Sequence, residues 1–208
     1  MLKTQSLMFQ YSEANQFRFP DIELSEGEDL LIMGESGVGK TTLLHLIAGV
    51  LKPQSGSVEL SGVRIHELST AKKDRFRGRH IGLVFQRPHF VQALSLKDNL
   101  ALVQYLAGEK PNSSRIREVL NSLGIEHKMN EKPNRLSIGE QQRASIALAV
   151  MNHPDIILAD EPTSSLDDKN CNRVVELLKQ QALSSNAQLI VITHDNRLKP
   201  HFQNKLQL

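Results

Sequence analysis

The sequence predicts an α/β protein: a parallel-sheet core, an antiparallel β segment near the N-terminus and an α-helical insertion in the middle of the chain. Three observations predict it. Short apolar runs at 29–33, 156–159 and 188–193 read as buried strands, and strands separated by helical patterns pair in parallel. From about Ser95 to Met151 the patterns are mostly helical. Residues 1–28 and 57–65 read as antiparallel strands joined by turns such as Lys52-Pro53-Gln54-Ser55-Gly56.

In chain order, Asp29-Leu30-Leu31-Ile32-Met33 is a short continuous apolar strand, followed by a Gly-rich turn and an apolar-rich helix over 40–50. The run Ile81-Gly82-Leu83-Val84-Phe85 precedes the insertion, whose helical patterns cover 96–106, 114–123 and 140–151. A helix over 172–183 separates the two late strands. No internal repeat, low-complexity tract or linker interrupts this rhythm. One domain over 1–208 is expected, with 1–94 and 152–208 as its core, antiparallel part included, and 95–151 as a helical subdomain.

Composition narrows the function. The chain has 208 residues, a net charge of +2 and 39% hydrophobic residues, and a chain of this length buries about 70% of its extended surface. It is expected to fold alone. The single cysteine, Cys171, forms no internal disulfide and no Cys-based zinc site, which favours a reducing compartment. No stretch approaches the roughly 18 apolar residues of a membrane span, and Met1-Leu2-Lys3-Thr4-Gln5 leads into no secretion signal. Without a long Lys/Arg block, nucleic acid is not an expected partner. The expected place is the cytoplasm; a partner must hold the chain at a membrane if it works there.

The sharpest chemical signal is Gly34-Glu35-Ser36-Gly37-Val38-Gly39-Lys40-Thr41, which matches G-x-x-x-x-G-K-[ST] between a strand and a helix. The glycines let the backbone wrap a polyphosphate, the helix start adds its dipole, Lys40 supplies a cation and the Thr41 hydroxyl suits Mg²⁺. A second signal is the strand 156–159 ending in Asp160-Glu161-Pro162. Asp160 is placed to hold Mg²⁺ directly or through water, and Glu161 to polarise an attacking water as general base. The third is Leu136-Ser137-Ile138-Gly139-Glu140-Gln141-Gln142-Arg143. Ser137 and Glu140 alone make a helix capping box, while the same helix start offers N–H groups and a dipole to an anion. Gln86 and His194 each follow an apolar run, a place where such residues are commonly structural.

Together these segments resemble the ATP-binding cassette ATPases. Residues 34–41, Gln86, 136–140, Asp160-Glu161, Ser164-Ser165-Leu166-Asp167 and His194 are similar, in order, to that family's phosphate loop, Q-loop, signature, Walker B pair, D-loop and switch histidine. The resemblance implies a P-loop NTPase (RecA-like) core that binds ATP and Mg²⁺. Nucleotide would lie on Gly34 to Thr41 and Thr42, with Glu161, His194 and Gln86 catalytic and Thr41, Gln86 and Asp160 near the metal. Tyr11, 23 positions before Gly34, stands where the family keeps an aromatic against adenine. Phe9 competes for that role, and a plain strand aromatic is the third possibility. The resemblance also implies head-to-tail pairing, as a homodimer or with a paired ATPase subunit. In that pair Ser137, Ile138, Gly139 and Glu140 face the other chain's nucleotide, with Asp167 in the D-loop. It further implies an integral membrane permease or force-transmitting subunit docked around residues 86–106, on the cytoplasmic face of the membrane.

Within the family, Leu158-Ala159-Asp160-Glu161-Pro162-Thr163, the segment 81–86, Asn99 and Thr193-His194-Asp195 are similar to the lipoprotein-release, macrolide-export and cell-division subgroup. A transporter ATPase is expected, with a cell-division or envelope-remodelling ATPase as the alternative inside the family. Outside it stands a P-loop kinase or nucleotide-dependent regulator, against which the signature, D-loop and histidine count together. One departure matters: the usual signature has Gly where this chain has Ile138. Position 138 directly follows the Ser137 cap, so helical φ is expected there and Ile is tolerated.

Overall fold

A computed structural model describes residues 1–12, 15–164 and 166–208. Its core is an all-parallel sheet of β4 (Asp29–Met33), β7 (Ile81–Val84), β8 (Ile156–Asp160), β9 (Gln188–Thr193) and β10 (Lys205–Gln207), in the order β10-β4-β9-β8-β7. Side chains along each central strand alternate between two hydrophobic clusters. Leu31, Met33, Ile157, Ala159, Leu189 and Val191 enter the cluster built with the helices of the insertion. Leu30, Ile32, Ile156, Leu158, Ile190 and Ile192 enter the one facing the antiparallel sheet. Both faces are therefore covered, which is why these strands read as unbroken apolar runs instead of alternating ones.

The antiparallel sheet holds β1 (Leu2–Ser12), β2 (Asn15–Arg18), β3 (Glu23–Leu24), β5 (Ser55–Leu60) and β6 (Val63–Arg64), ordered β2-β1-β5-β6 with β3 also on β1. The β1–β5 register shifts between Gln5 and Met8. Gly56 faces that shift with φ +85°, and a Cβ there would lie 2.3 Å from the Gln5 carbonyl oxygen, so only glycine fits. The segment 52–56 is not a turn between two strands, as expected above. It brings the chain from α1 (Lys40–Ile47) into β5, which already begins at Ser55.

The insertion carries α3 (Leu96–Leu106), α4 (Ser113–Ser122) and α5 (Ile138–Val150), and α6 (Asp168–Ser184) precedes β9. Caps set the starts. Ser95, Asn112, Ser137 and Asp167 each accept a backbone N–H through a side-chain oxygen, so α5 starts two residues and α6 four residues before the apolar patterns suggested. At its other end α1 stops three residues short of position 50, because Gly49 turns the chain at φ +66°. Two elements were not foreseen: α2 (Thr70–His80), which buries no side chain, and the edge strand β10. Among the described residues, no helix is long and apolar enough to cross a membrane.

Candidate active site

Strand ends place the chemistry. β4 runs into the phosphate loop, β7 ends before Gln86, β8 ends on Asp160 and Glu161, and β9 ends before His194. Since the strands are parallel, all four C-terminal ends open on one edge of the sheet, the usual binding edge of such folds. There, Glu35, Ser36, Gly37, Gly39, Lys40, Thr41, Thr42, Gln86, Asp160, Glu161 and His194 line one cleft of about 600 Å³.

The loop is shaped for an anion. Gly39 caps α1 with φ +99°, and a Cβ at that position would stand 2.6 Å from Cδ1 of Phe17. No other residue fits both the left-handed backbone and the close ring. Gly34 is buried beneath the loop, with Val38 against it, while residues 35–37 are exposed. Lys40 is only 8% exposed. Its Nζ donates to the carbonyls of Gly34 and Glu35, both at 2.8 Å, and lies 4.0 Å from Glu161 Oε1. The loop's own backbone thus fixes the ammonium beside the space that a terminal phosphate would fill.

The two carboxylates differ. Thr41 Oγ1 donates to Asp160 Oδ2 at 3.0 Å, and burial pushes the Asp160 carboxyl above its ordinary value. Glu161 has φ +47°, an uncommon conformation for a side chain of this size, and its N–H is held by the Ile192 carbonyl at 2.9 Å. Its Oε2 accepts from Thr193 Oγ1 at 2.8 Å, while Oε1 accepts from His194 N at 3.1 Å and meets His194 Nδ1 at 2.7 Å. The imidazole is 64% exposed, so it reaches across the cleft mouth. Gln86 Nε2 donates to Ser164 Oγ at 3.1 Å, and Ser164 Oγ donates to the Glu161 carbonyl at 3.2 Å.

Other expected residues lie outside this cleft. Ile138, Gly139 and Asp167 line a second one of about 610 Å³ with Arg143 and Arg173. Asp167 accepts from the N–H and the side-chain amide of Asn170, at 2.9 and 2.8 Å. The Ser137–Glu140 capping box is formed, and these hydrogen bonds hold the Glu140 carboxyl below its ordinary value. Ile138 is the first residue of α5 and is 76% exposed, with the helical backbone expected. Tyr11 is 59% exposed, its hydroxyl 3.3 Å from Thr42 Oγ1. Phe9 meets it edge-on at 4.7 Å and packs into the core. Ser165 lies outside the described residues. Sequence reasoning missed Phe17, which lines the phosphate cleft, stacks on Phe19 at 6.1 Å and fills the space beside Gly39. Nothing in the four-residue strand Asn15–Arg18 marks it out.

Comparison with known proteins shows the family. The family described as ABC transporter matches residues 19–164. The lipoprotein-releasing system ATP-binding protein LolD of Colwellia psychrerythraea is 34% identical over 192 residues, 90% of this chain and 74% of that protein. The protein of the same name from Xanthomonas axonopodis pv. citri is 34% identical over all of this chain and 88% of its own. Among solved structures, the dimeric bacterial ABC transporter cassette MJ0796 superposes with a TM-score of 0.88 at 31% identity, covering 100% of this chain and 94% of that one. The cassette cbiO1 of Clostridium perfringens, part of the transporter complex cbiONQ, gives 0.87 at 27% identity over 99% and 83%. The chain belongs to the ABC transporter family. It is the ATP-hydrolysing subunit of such a transporter, and its core is the P-loop NTPase fold.

Proposed function

We propose that the strand-end cleft hydrolyses ATP with Glu161 as general base, in a cassette that pairs with a second cassette and drives an integral membrane protein of the lipoprotein-release and export type. The observation that carries this reading is the fixing of Glu161. Thr193 and His194 hold its carboxylate while Lys40 stands 4.0 Å away, so a base and a phosphate cation share one cleft. The Glu161 carboxylate takes the proton of a water as its oxygen bonds to the terminal phosphorus, and the bond to the ADP oxygen breaks with the electron pair leaving on ADP. His194 holds the base in place and reaches toward the phosphate, and Lys40 neutralises charge there.

The residues also fit Mg²⁺, since Thr41 Oγ1 and a desolvated Asp160 carboxylate lie within 3.0 Å of each other and Mg²⁺ prefers few carboxylates plus phosphate oxygens and water. Thr41 and Asp160, with Gln86 near, would hold it, and the ion supplies neutralisation of phosphate charge. Tyr11 is the aromatic for the adenine ring; its exposed face supports that reading over Phe9.

Pairing is supported by the outward-facing start of α5 and by the dimeric state of MJ0796. The signature residues 137–140 then face the partner's nucleotide, and Asp167 lies at the junction. An apolar groove of about 580 Å³ lined by Leu83, Phe85, His89, Val103 and Leu106 supports docking of the membrane protein, which would place this chain on the cytoplasmic membrane face. Within this arrangement residues 95–151 act as the helical subdomain. The experiment is purification from gently solubilised membranes, with phosphate release measured without any acceptor. The expected result is a co-purified integral membrane protein and steady ATP turnover. ATP turnover only when a phosphoryl acceptor is supplied overturns it.

A further inference from the structure

The β8–α6 segment and the residues after His194 are bound together by one side chain. Arg197 lies in the 3₁₀ segment Asn196–His201, three positions past His194. Its Nε donates to both oxygens of Asp195, at 2.9 and 3.1 Å, and Nη2 donates to Oδ2 at 2.7 Å. The other edge of the guanidinium spans the facing segment. Nη1 donates to the Leu166 carbonyl at 3.1 Å and to Asp168 Oδ1 at 2.7 Å, and Nη2 to the Thr163 carbonyl at 3.4 Å. Asp195 completes the link by accepting from Thr163 Oγ1 at 3.0 Å and from Arg197 N at 3.0 Å.

This linkage touches the catalytic machinery on both sides. Thr163 lies two residues beyond Glu161 and is wholly buried. Asp195 directly follows His194, and its N–H donates to Thr193 Oγ1, the same hydroxyl that donates to Glu161. On the far side, Leu166 and Asp168 bracket Asp167, the residue that lines the cleft shared with Ile138 and Gly139. The guanidinium holds the Asp195 carboxyl down to about 2, so the pair stays charged across the working pH range and does not act as a proton switch. Only a planar fork with several fixed donors can serve two carbonyls and two carboxylates at once; a lysine ammonium cannot.

We propose that Arg197 is a positioning residue that makes Thr163, Leu166 and Asp168 move with His194 as one unit, so that the docking of a second cassette against Asp167 is transmitted to this chain's own Glu161–His194 pair. The proposal rests on the reading above that Asp167 meets the second cassette and that Glu161 and His194 act on ATP. Transmission of this kind needs an element that both sites bias, and the guanidinium ties Thr163, Leu166 and Asp168 to Asp195 in one such element.

The test uses the full chain and compares Arg197→Gln, Arg197→Lys and Asp168→Asn. In Arg197→Gln, ATP affinity of the single chain stays within about twofold of the parent, while kcat falls about tenfold or more. Asp168, 87% exposed, carries only one of the links, so Asp168→Asn moves the same readouts less and serves if Arg197→Gln fails to fold. Arg197→Lys restores little, because the bridge needs the fork. If Arg197 acts through the histidine, Arg197→Gln combined with His194→Ala is no slower than His194→Ala alone. Multiplied losses in that double variant, or parental kcat in Arg197→Gln, overturn the proposal. ATP-dependent dimerisation of Glu161→Gln is the separate control: its absence overturns the pairing itself, whereas its presence with a silent Arg197 overturns only this inference.

Discussion

The strand-end cleft and the start of α5 both offer backbone N–H groups to an anion, yet they are held in opposite ways. In the cleft, the contacts of the two carboxylates join residues far apart in sequence: Thr41 to Asp160, Glu161 to Thr193 and His194. At the start of α5 every capping hydrogen bond closes within three residues, between Ser137 and Glu140. Ile138 there is exposed, and the Lys128 ammonium and the His127 imidazole lie against Glu140, at 3.5 and 3.8 Å. The fold of one chain completes the first site. The second is a helix start whose cap is satisfied by its own residues, at the rim of the cleft it shares with Leu166 and Asp167.

Glu161→Gln breaks this comparison hardest. Gln keeps the shape and can still meet Thr193 and His194, but it cannot take a proton, so turnover falls by about 10²–10⁴, the usual contribution of general acid–base catalysis. ATP binding persists, and the stalled protein forms an ATP-dependent dimer. Mass measurement with and without ATP checks both halves of the statement. A variant that hydrolyses at the parental rate removes Glu161 from the role of base, and one that stays monomeric at saturating ATP overturns the pairing.

Lys40→Ala acts on binding itself. It deletes a nearly buried ammonium aligned by two carbonyls, and a hydrogen bond to a charged group contributes about 1.5–3 kcal/mol. ATP affinity is expected to fall by about one to two orders of magnitude. Calorimetric titration of ATP reads it directly, and unchanged affinity counts against the phosphate-loop assignment. Deleting a side chain from the Ser137–Glu140 region leaves single-chain ATP affinity in place, which sharpens the contrast between the two sites.

How much of this was legible in the sequence follows from the same contrast. The phosphate loop and the carboxylate pair were readable because each lies at the end of a strand whose two buried faces force a continuous apolar run, as in Leu30 to Met33 and Ile156 to Ala159. The signature box was readable because its contacts are local. Long-range partners were not. Nothing near Arg197 in sequence announces that it holds Leu166 and Asp168, and Phe17 beside Gly39 has no local mark. Helix α2 escaped for another reason: with no buried side chain it carries no apolar stripe to detect. The strand β10, three residues at the sheet edge, is too short for a period.

Asp160→Asn probes stability instead of rate. Burial raises the Asp160 carboxyl, so in the folded state its ionised form is disfavoured relative to the unfolded chain. The sign follows from linkage: the contribution is most favourable below the unfolded value and is lost as pH rises through the raised folded one. At neutral pH the nucleotide-free protein therefore carries a cost that Asn removes. The gain is read as a higher Tm in thermal melting without ligand, about 2–4 °C for each kcal/mol in a chain of this size. The same variant loses the further rise that Mg²⁺ and ATP give the parent. A lower Tm for Asp160→Asn in the absence of ligand contradicts the reading of Asp160 as a carboxyl whose charged form burial disfavours.

The smallest expected effect belongs to Ile138→Gly, and it bears on the α5 side of the comparison alone. Ile138 has the helical backbone of a first-turn residue, so replacing it relieves no strained φ; glycine in a helix instead costs about 0.5–1 kcal/mol relative to alanine. What the change removes is an exposed β-branched side chain, next to the N–H group of Gly139 that would face a partner's nucleotide. If the side chain only borders that approach, ATPase rate and ATP-induced dimerisation of Ile138→Gly stay within about tenfold of the parent, that is within about 1.4 kcal/mol. Since Ile138 also lines the cleft with Leu166 and Asp167, loss of its apolar contact is expected to weaken the dimer slightly. A gain beyond tenfold in rate or dimerisation would mean that Ile138 obstructs the sandwich and that the chain works below the capacity its cleft allows.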